Sequence, residues 1–286
     1  AGVRITRIHL EEDAGRLIHP KGTDYSLVDF NRAGVPLMEL VTEPDMHAAE
    51  EAQAFAEELQ LILRYLGASD ANMEKGQMRV ELNISLASLG SKELGTKVEV
   101  KNLNSFNVVG RAAAYEIKRQ SELLDNGDKV MQETRGWDEN GQKTFSQRTK
   151  EEAHDYRYFP EPDIPPFQVS GFRFQVSGLP ELPQQKRKRF VEEYKVDPKL
   201  AEIFVRDREL ADYYEKVISE FLAWEEAIGH MEEKEEVRQK LMTLSANYLT
   251  TDLRKLMAQD KIDIARCKIT AEDFAEFIEL IHTGKL

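Results

Sequence analysis

The alternation of apolar and polar residues divides the chain into a first part that mixes strands with helices and a second part that is helical. β-branched residues interleaved with polar ones predict strands at 3–10, 24–32, 35–42, 77–86 and 96–103. Apolar residues at helical spacing predict helices at 46–66 and 106–124, with Asp45 as a cap of the first helix and Gly67 at its end. Asn-Gly between two strand-like stretches predicts a hairpin around 138–141.

From Leu182 onward the pattern is helical, with Glu, Lys and Arg on the polar faces. We place a boundary between 170 and 182, which gives a first domain over 1–172 and a helical domain over 173–286. A stretch rich in proline and aromatic residues, 155–167, predicts an ordered loop or a crossover just before the boundary. The expected fold class is α+β: a mostly antiparallel sheet domain followed by an all-α domain.

The composition narrows the classes of function. The net charge is −13, whereas a protein that binds a long stretch of nucleic acid is usually basic. Contact with nucleic acid would therefore require a local basic patch. No apolar run approaches the roughly 20 residues that span a bilayer, and the first residues do not form a signal peptide. A single cysteine, Cys267, excludes an intrachain disulfide, and we expect a cytoplasmic protein without a membrane segment.

The first candidate site combines a histidine with carboxylates at the end of the first predicted strand. His9 and Glu11 share one face of an extended chain, while Glu12 points to the other face. If the strand breaks at Glu12, all three side chains converge as ligands for a hard divalent cation such as Mg²⁺. The alternative is a solvated acidic turn.

The second candidate site is a set of polar side chains that alternate along two neighbouring strands. Apolar residues between them predict that one face of the sheet packs in the core and the other is open. The open face is either an ordinary solvent face with cross-strand ion pairs, or a floor that holds a metal ion and phosphates. Its side chains are Arg79, Glu81, Asn83, Lys97, Glu99 and Lys101.

Three further segments each allow two interpretations. Ser105 fits either a helix cap or an anion site at a helix start. The loop at 155–167 carries Asp155, Arg157, Glu161 and Asp163 and fits either a hinge or a set of fixed polar side chains. The basic run 186–189 fits either contact with RNA phosphates or a solvated helix face. The sequence has no Walker motif and no GxGxxG, so an ATP site would be neither a P-loop nor a Rossmann site.

Six long sequence blocks of the first domain can be compared with known families: RITRIHLEEDAG, YSLVDFNRAGVPLMELVTEPD, MEKGQMRVELNIS, GTKVEVKNLNSF, QETRGWDE and DYRYFPEPDIPP. These blocks resemble the GatB subunits of the aspartyl/glutamyl-tRNA amidotransferase family. Their order and spacing match that family over 3–167, and the resemblance continues more loosely to the end of the chain.

The resemblance implies a ligase subunit of protein biosynthesis that uses ATP and Mg²⁺. Such a subunit has a cradle domain, here 1–172, and a helical domain, here 173–286. It phosphorylates the side-chain carboxylate of Glu-tRNA(Gln) or Asp-tRNA(Asn), and ammonia from a partner amidase subunit then displaces the phosphate to give the amide. The implied partners are that amidase subunit (GatA), a small subunit (GatC) that wraps the two, and the misacylated tRNA.

The resemblance also implies roles for individual residues. Glu12 is implied to be a metal ligand and a catalytic residue, with Glu11 and His9 as further ligands close by. Glu81 and Glu99 are implied to be catalytic carboxylates that face the ATP and Mg²⁺ pocket. The implied contacts to phosphate or carboxylate groups are Arg79, Asn83, Lys97, Lys101 and Ser105.

Two departures from the family pattern limit the implied site. Position 81 is often Asp in the family, and the extra methylene of Glu81 can turn direct metal contact into contact through water. The family's opening strand with its Glu-x-His residues, its Tyr-Pro-Asp loop and its tail domain have no counterpart here, so we expect this chain alone to be inactive. The alternative function is a non-catalytic fragment that binds tRNA and the partners. A hydrolase with paired carboxylates is disfavoured because a sugar-binding aromatic cluster is missing.

Overall fold

A computed structural model describes residues 2–149, 178–228 and 234–286. Within them the chain forms two compact units: the first contains 2–59 and 72–149, and the second contains 60–71 and the described residues from 178 onward. The expected boundary between 172 and 173 lies outside the described residues, as does the loop at 155–167 with Asp155, Arg157, Glu161 and Asp163.

The described strands all lie in the first unit, whereas the second unit is helical, which confirms the α+β class. The strands are β1 (Ile5–Glu12), β2 (Arg16–Ile18), β3 (Leu27–Asp29), β4 (Pro36–Thr42), β5 (Val80–Ile84), β6 (Val98–Leu103), β7 (Glu133–Asp138) and β8 (Lys143–Thr149). The α-helices are α1 (Ala49–Tyr65), α2 (Phe106–Asp125), α3 (Pro183–Glu192), α4 (Pro198–Arg206), α5 (Arg208–Ile228), α6 (Lys234–Tyr248), α7 (Arg254–Asp260) and α8 (Ala271–His282). A π-helical turn (Leu249–Leu253) joins α6 to α7, and a 3-10 helix (Ile264–Arg266) precedes α8.

A four-stranded sheet in the order β5-β6-β7-β8 forms the centre of the first unit. β5 pairs antiparallel with β6, and β7 with β8 through the predicted hairpin, whereas β6 and β7 are parallel. A parallel pair cannot be joined by a tight turn, so α2 supplies the crossover between them. The apolar face lies in the core as predicted. It packs against α2, and Val98, Val100, Val109 and Ala112 have no exposed surface (0%).

Two small antiparallel ribbons precede this sheet. β1 pairs with β4 from Ile5↔Thr42 to Glu12↔Pro36, and β2 pairs with β3. The strand therefore does not break at Glu12, so the condition for His9, Glu11 and Glu12 to converge is not met. β2 was not predicted, because three residues are too short a stretch to show an alternation.

Helix α1 begins later than its periodicity indicates. The carboxylate of Asp45 does not cap the helix; it accepts hydrogen bonds from the backbone N (2.9 Å), Nε (3.0 Å) and Nη2 (2.7 Å) of Arg4. The cap prediction is wrong because Arg4, directly before β1, engages the Asp45 carboxylate, and the helix starts at Ala49. Gly67 follows the end of the helix as predicted, with a φ of +65° that favours glycine.

The second unit has a core of aromatic side chains between its helices. Phe190, Phe204 and Tyr214 have no exposed surface (0%), and the rings of Phe204 and Tyr214 stack with centroids 4.6 Å apart. The Tyr214 hydroxyl donates to the carbonyl of Met242 at 3.1 Å, which satisfies its polar end in the core. In the part of the chain that the structure describes, no helix combines the length and the apolar character needed to cross a membrane.

A charged network lies between α2 and the sheet. Glu116 of α2 is completely buried (0%), and its carboxylate accepts hydrogen bonds from Arg119 (2.5 Å), from Gln120 (3.0 Å) and from the Thr144 hydroxyl of β8 (3.0 Å). Nε of Arg135, on β7, lies 3.6 Å from the same carboxylate. One acidic side chain therefore ties the crossover helix to two strands of the sheet.

We predict that Glu116→Gln destabilises the first unit by about 3–5 kcal/mol. The substitution keeps the size of the side chain but leaves the two guanidinium groups of Arg119 and Arg135 with Glu133 as their one buried counter-charge among the described residues. Urea unfolding followed by the fluorescence of Trp137, in a Trp224→Phe background, measures the first unit alone, since the chain has 2 tryptophans.

The matched control is Glu122→Gln on the same helix. Glu122 and its ion-pair partner Lys118 lie 3.8 Å apart with side chains 63% and 76% exposed. An exposed pair of this kind contributes at most about 1 kcal/mol. Equal unfolding midpoints for the two variants would contradict the role of Glu116.

Candidate functional site

The open face of the four-stranded sheet is shaped by a β-bulge in β6. Val80 pairs with Leu103 while Leu82 pairs with Val100, so two residues of β6 stand opposite Glu81 of β5. A bulge of this kind shifts the alternation of the strand by one residue and re-aims the side chains beside it.

The backbone and the burial pattern both record this bulge. Asn102 has a φ of +64°, a left-handed conformation that Asn tolerates better than most residues. Val98 and Val100 are buried, and after the bulge the buried position changes to Leu103. Lys101 thus stays on the open face, between the core residues Val100 and Leu103.

Three charged side chains meet on this open face. Nζ of Lys101 lies 3.1 Å from Oε1 of Glu81 and 3.6 Å from Oε1 of Glu99. Burial acts to lower the pKa of Lys101, but the two carboxylates outweigh it and the pKa lies above its ordinary value of 10.5. Lys101 is therefore a firmly protonated cation between two acidic groups.

Glu99 has a further partner on β7. Thr134 stands opposite Glu99 in the parallel ladder, and its Oγ1 donates to Oε2 of Glu99 at 2.7 Å. The Glu99 side chain is 13% exposed, compared with 46% for Glu81. Glu99 is therefore the fixed carboxylate of the array, and Glu81 is its solvent-facing member.

A second cluster lies on the ribbon of β1 and β4. His9 stands opposite Glu39 in the register, and Nδ1 of His9 lies 3.6 Å from Oε1 of Glu11. One potential ligand atom from each of His9, Glu11 and Glu39 lies within 4.8 Å of the other two. All three side chains are half-buried, and Glu39 also pairs with Arg7 at 3.3 Å.

The predicted carboxylates thus separate into two groups. Glu12 follows Glu11 directly in β1, so it points away from the histidine cluster. Among the described residues, His9, Glu11 and Glu39 form the one group of three or more His, Cys, Asp or Glu side chains that could hold a metal ion. The structure therefore does not gather Glu12, Glu81 and Glu99 around one cation.

The other residues predicted to contact phosphate or carboxylate groups lie on or next to β5 and β6. Asn83 lies exposed on β5, and Arg79 and Lys97 are exposed just before β5 and β6. Ser105 is the N-cap of α2, and its Oγ accepts a hydrogen bond from the backbone N of Val108 at 3.2 Å. Of the two interpretations of Ser105, the cap is the one that the structure shows.

An arginine links the ribbon to the loop that leads into the sheet. Nε of Arg32 lies 2.8 Å from Oδ2 of Asp13, just after β1, and its Nη1 donates to the carbonyl of Gly76 at 3.3 Å. The hydrogen bond from Arg32 holds the pKa of Asp13 below its ordinary value, and the charge of Arg79 contributes in the same direction. The end of β1 and the start of β5 are therefore close.

Sequence reasoning missed two residues of these clusters. Glu39 is the one charged residue in the apolar stretch VPLMELVT, and that isolation is a signal that could have identified it. Thr134 gave no signal, because its contact with Glu99 depends on the pairing of β6 with β7, which no local pattern specifies.

The basic run at 186–189 is largely neutralised within the second unit. Lys186, Arg187 and Arg189 each have an acidic oxygen within 3.1 Å, and the Lys186 side chain is 6% exposed. Lys188 alone in the run is strongly exposed, at 72%. The acidic partners are Asp212, Glu202, Glu181 and Glu215. These ion pairs occupy the charges that contact with RNA phosphates would require.

A comparison with protein families matches residues 1–174 to the GatB/GatE catalytic domain. The chain belongs to the GatB/GatE catalytic-domain family. This confirms the resemblance drawn from the sequence blocks. The array on the open face and the cluster on the ribbon both lie inside the matched residues.

Curated relatives share the similarity along nearly the whole chain. The GatB subunits of aspartyl/glutamyl-tRNA(Asn/Gln) amidotransferase from Crocosphaera subtropica, Carboxydothermus hydrogenoformans and Thermodesulfovibrio yellowstonii are 43%, 44% and 45% identical to it. Each match covers 99% of this chain and 55–56% of the relative. The chain therefore spans about half the length of the curated relatives that it matches.

Within this GatB/GatE catalytic domain, the ribbon cluster has the chemistry of a divalent-cation site. Two carboxylates and an imidazole suit a cation that keeps several water ligands, and the half-buried position leaves room for them. The array on the sheet combines one protonated lysine with two carboxylates, a formal charge of −1, so phosphate oxygens would contact Lys101 only together with a bound divalent cation.

We predict that Arg4→Gln raises the pKa of Asp45 from about 2 toward its ordinary value of 3.8. The side-chain hydrogen bond from Arg4 is the largest cause of the low pKa, and the variant removes it. Because the pKa is lowered in the folded state, the stabilisation is present above pH 3.8 and is lost as the pH falls through about 2. A ¹³C NMR titration of the Asp45 carboxyl measures the change.

Arg7→Gln is the control for this titration. Arg7 lies three residues after Arg4, in β1, but pairs with Glu39, so the pKa of Asp45 should not change. An unchanged Asp45 pKa in Arg4→Gln would show that the arginine does not determine it.

Proposed function

We propose that this domain catalyses the ATP-dependent activation of the side-chain carboxylate of Glu-tRNA(Gln) or Asp-tRNA(Asn), followed by its amidation. The observation that carries the proposal is the array on the open face, in which Lys101 lies between Glu81 and Glu99 over the two hydrogen-bonded strands β5 and β6. Membership of the GatB/GatE catalytic-domain family supports it, as do relatives that are subunits of tRNA-dependent amidotransferases.

The chemistry requires what this array offers. A carboxylate is a poor electrophile, and transfer of the γ-phosphoryl group of ATP to one of its oxygens forms an acyl phosphate with release of ADP. Ammonia then attacks the carbonyl carbon, the C–O bond to phosphate breaks, and the amide and inorganic phosphate are formed. Phosphoryl transfer depends mainly on positioning and on neutralisation of negative charge. Lys101 would contribute one positive charge, and the two carboxylates beside it leave the rest of the neutralisation to a bound cation.

The ribbon cluster is the place where we propose that Mg²⁺ binds. His9, Glu11 and Glu39 would hold the ion, and a bound Mg²⁺ would supply positive charge to the phosphates of ATP. Glu12 lies on the other face of the ribbon and Glu81 lies on the sheet, so we do not propose either as a direct ligand of Mg²⁺ in the ribbon cluster.

The proposal extends to partners and location. We propose that ammonia comes from an amidase subunit, that a small subunit completes the complex, and that the complex works in the cytoplasm on misacylated tRNA. The alternative function is a non-catalytic role in binding tRNA and the partners. The observation that favours it is that Glu81 and Glu99 are not part of the ribbon cluster. ADP release that depends on misacylated tRNA distinguishes the two functions, since only the enzyme produces it.

We predict that Lys101→Met lowers the rate of transamidation by about 10²-fold or more, because a charge that balances the transferring phosphoryl group is lost. The assay uses the complex with the amidase and small subunits, ATP, glutamine and misacylated tRNA. It measures both ADP release and the amidated product.

Two variants accompany this test. Lys118→Met removes a lysine from α2 whose side chain is 76% exposed, and the rate should stay within about twofold of wild type. Lys101→Arg keeps the charge but changes its geometry, and should retain more activity than Lys101→Met. Full activity of a folded Lys101→Met complex would sink the proposed function.

We predict that Glu39→Gln weakens the binding of Mn²⁺, used as a paramagnetic substitute for Mg²⁺, by about tenfold or more. The variant replaces one of three ligand side chains by a neutral amide that binds a hard cation less well. Electron paramagnetic resonance of free Mn²⁺ in a titration of the 286-residue chain measures the affinity.

Glu43→Gln is the matched control in the Mn²⁺ titration. Glu43 follows β4 on the same ribbon, but its carboxylate accepts a hydrogen bond from Thr6 and lies outside the cluster. Equal Mn²⁺ affinity in Glu39→Gln and Glu43→Gln would exclude the ribbon cluster as the cation site.

A further inference from the structure

The second unit contains a cleft of about 460 Å³ where the end of α1, the junction of α4 with α5, and the start of α7 meet. Tyr65, the last residue of α1, forms part of its lining and is 5% exposed. The Tyr65 hydroxyl donates to the carbonyl of Val205 at 2.9 Å. This buried hydrogen bond fixes the end of α1 against α4, so the lining is a built surface.

The lining is rich in arginine. It contains two acidic residues, Asp207 and Glu209, and four arginines, so its formal charge is +2 (four minus two) in a chain with a net charge of −13. The arginines are Arg64, Arg206, Arg208 and Arg254. Four arginines from three separate parts of the sequence therefore line one concave surface.

Two of these arginines have no acidic partner among the described residues. Nε of Arg64 donates to the backbone carbonyl of Asp70 at 2.7 Å, which leaves its charge uncompensated. The guanidinium of Arg254 forms neither a hydrogen bond nor an ion pair with any residue that the structure describes. Both side chains are exposed to solvent and available to a ligand.

Among the described residues, three of the other four charges of the lining, all except Glu209, are already engaged. Arg206 pairs with Glu202 at 2.7 Å, and Nε of Arg208 lies 3.9 Å from Asp212. The carboxylate of Asp207 accepts a hydrogen bond from a backbone N–H in the first turn of α5 at 3.1 Å. The uncompensated positive charge of the cleft therefore lies on Arg64 and Arg254, where a negatively charged ligand would bind.

The π-helical turn accounts for the position of Arg254. Arg254 is the first residue of α7, directly after the turn Leu249–Leu253, in which Leu249 and Leu253 are buried. A π turn inserts one residue, so it rotates the following helix by about 100° relative to α6. Such turns are rare and occur frequently at functional sites, and this one has Arg254 at its end, in the lining of the cleft.

We propose that this cleft binds a phosphate group of an RNA chain. Guanidinium groups match phosphate oxygens in geometry and charge, and they are the side chains most used for that contact. The identity of the ligand rests on the proposed function, which makes tRNA the substrate. A phosphate of a free nucleotide has the same chemistry, and the test separates the two sources.

The test measures the affinity of the 286-residue chain for an unacylated tRNA transcript over a range of salt concentrations. Arg254→Gln should weaken binding several-fold at low salt and reduce the slope of log K against log[salt] by about 0.7–0.9, the value for one lost phosphate contact. Glu209→Gln should strengthen binding, because it removes negative charge from the lining.

Arg266→Gln is the matched control, since Arg266 lies in the same unit with a side chain 74% exposed but outside the cleft. Its slope should equal that of wild type. An unchanged slope in Arg254→Gln overturns the inference. Binding of ATP or inorganic phosphate that depends on Arg254, without any effect on the tRNA slope, overturns RNA as the source of the phosphate.

The outcome is separable from that of the proposed function. The binding assay contains neither ATP nor a metal ion nor partner subunits, so it does not depend on the array at Lys101. If Lys101→Met abolishes transamidation while Arg254→Gln binds tRNA like wild type, the cleft inference alone has failed. If Arg254→Gln loses tRNA affinity while Lys101→Met stays active, the proposed reaction at the array has failed.

Discussion

The buried carboxylate of Glu116 is the interaction on which the architecture of the first unit depends. An ionised carboxylate in the core is tolerated only with positive charge and hydrogen-bond donors around it, and Arg119, Arg135 and Thr144 supply them from α2, β7 and β8. A rotation or a slide of α2 would leave these groups buried and unpaired. The network therefore fixes the crossover helix on one face of the sheet and leaves the opposite face free for other groups.

The bulge in β6 makes that free face chemically useful. Without the extra residue opposite Glu81, strict alternation would have continued from Val98 and Val100 to Asn102 as a core position. The left-handed backbone at Asn102 sends Leu103 into the core instead and keeps Lys101 beside Glu81 and Glu99. One local irregularity thus serves both the packing of the core and the gathering of charge on the open face.

The fold was predictable where one local pattern decided the structure. The two long helices, the hairpin and the core face of β5 and β6 follow from period and turn chemistry, and the elements were found within a few residues. Competition between distant groups was not predictable. Asp45 was expected to cap α1, but its carboxylate binds Arg4 instead. Glu12 was predicted to lie beside His9, but the pairing of β1 with β4 places Glu39 there. The register depends on the whole ribbon and cannot be read from one strand.

The charges of the second unit show why sequence position is a poor guide to where an anion binds. The dense run at 186–189 attracts attention in the sequence, yet neighbouring helices surround it with carboxylates at ion-pair distance. Arg64 and Arg254 are nearly 200 positions apart and gave no signal, yet the fold places them in one cleft without acidic partners among the described residues. A cluster of like charges in sequence is usually neutralised during folding, since burying it otherwise costs free energy. Like charges that the fold itself brings together and leaves unpaired carry an electrostatic cost that a ligand of opposite charge reduces.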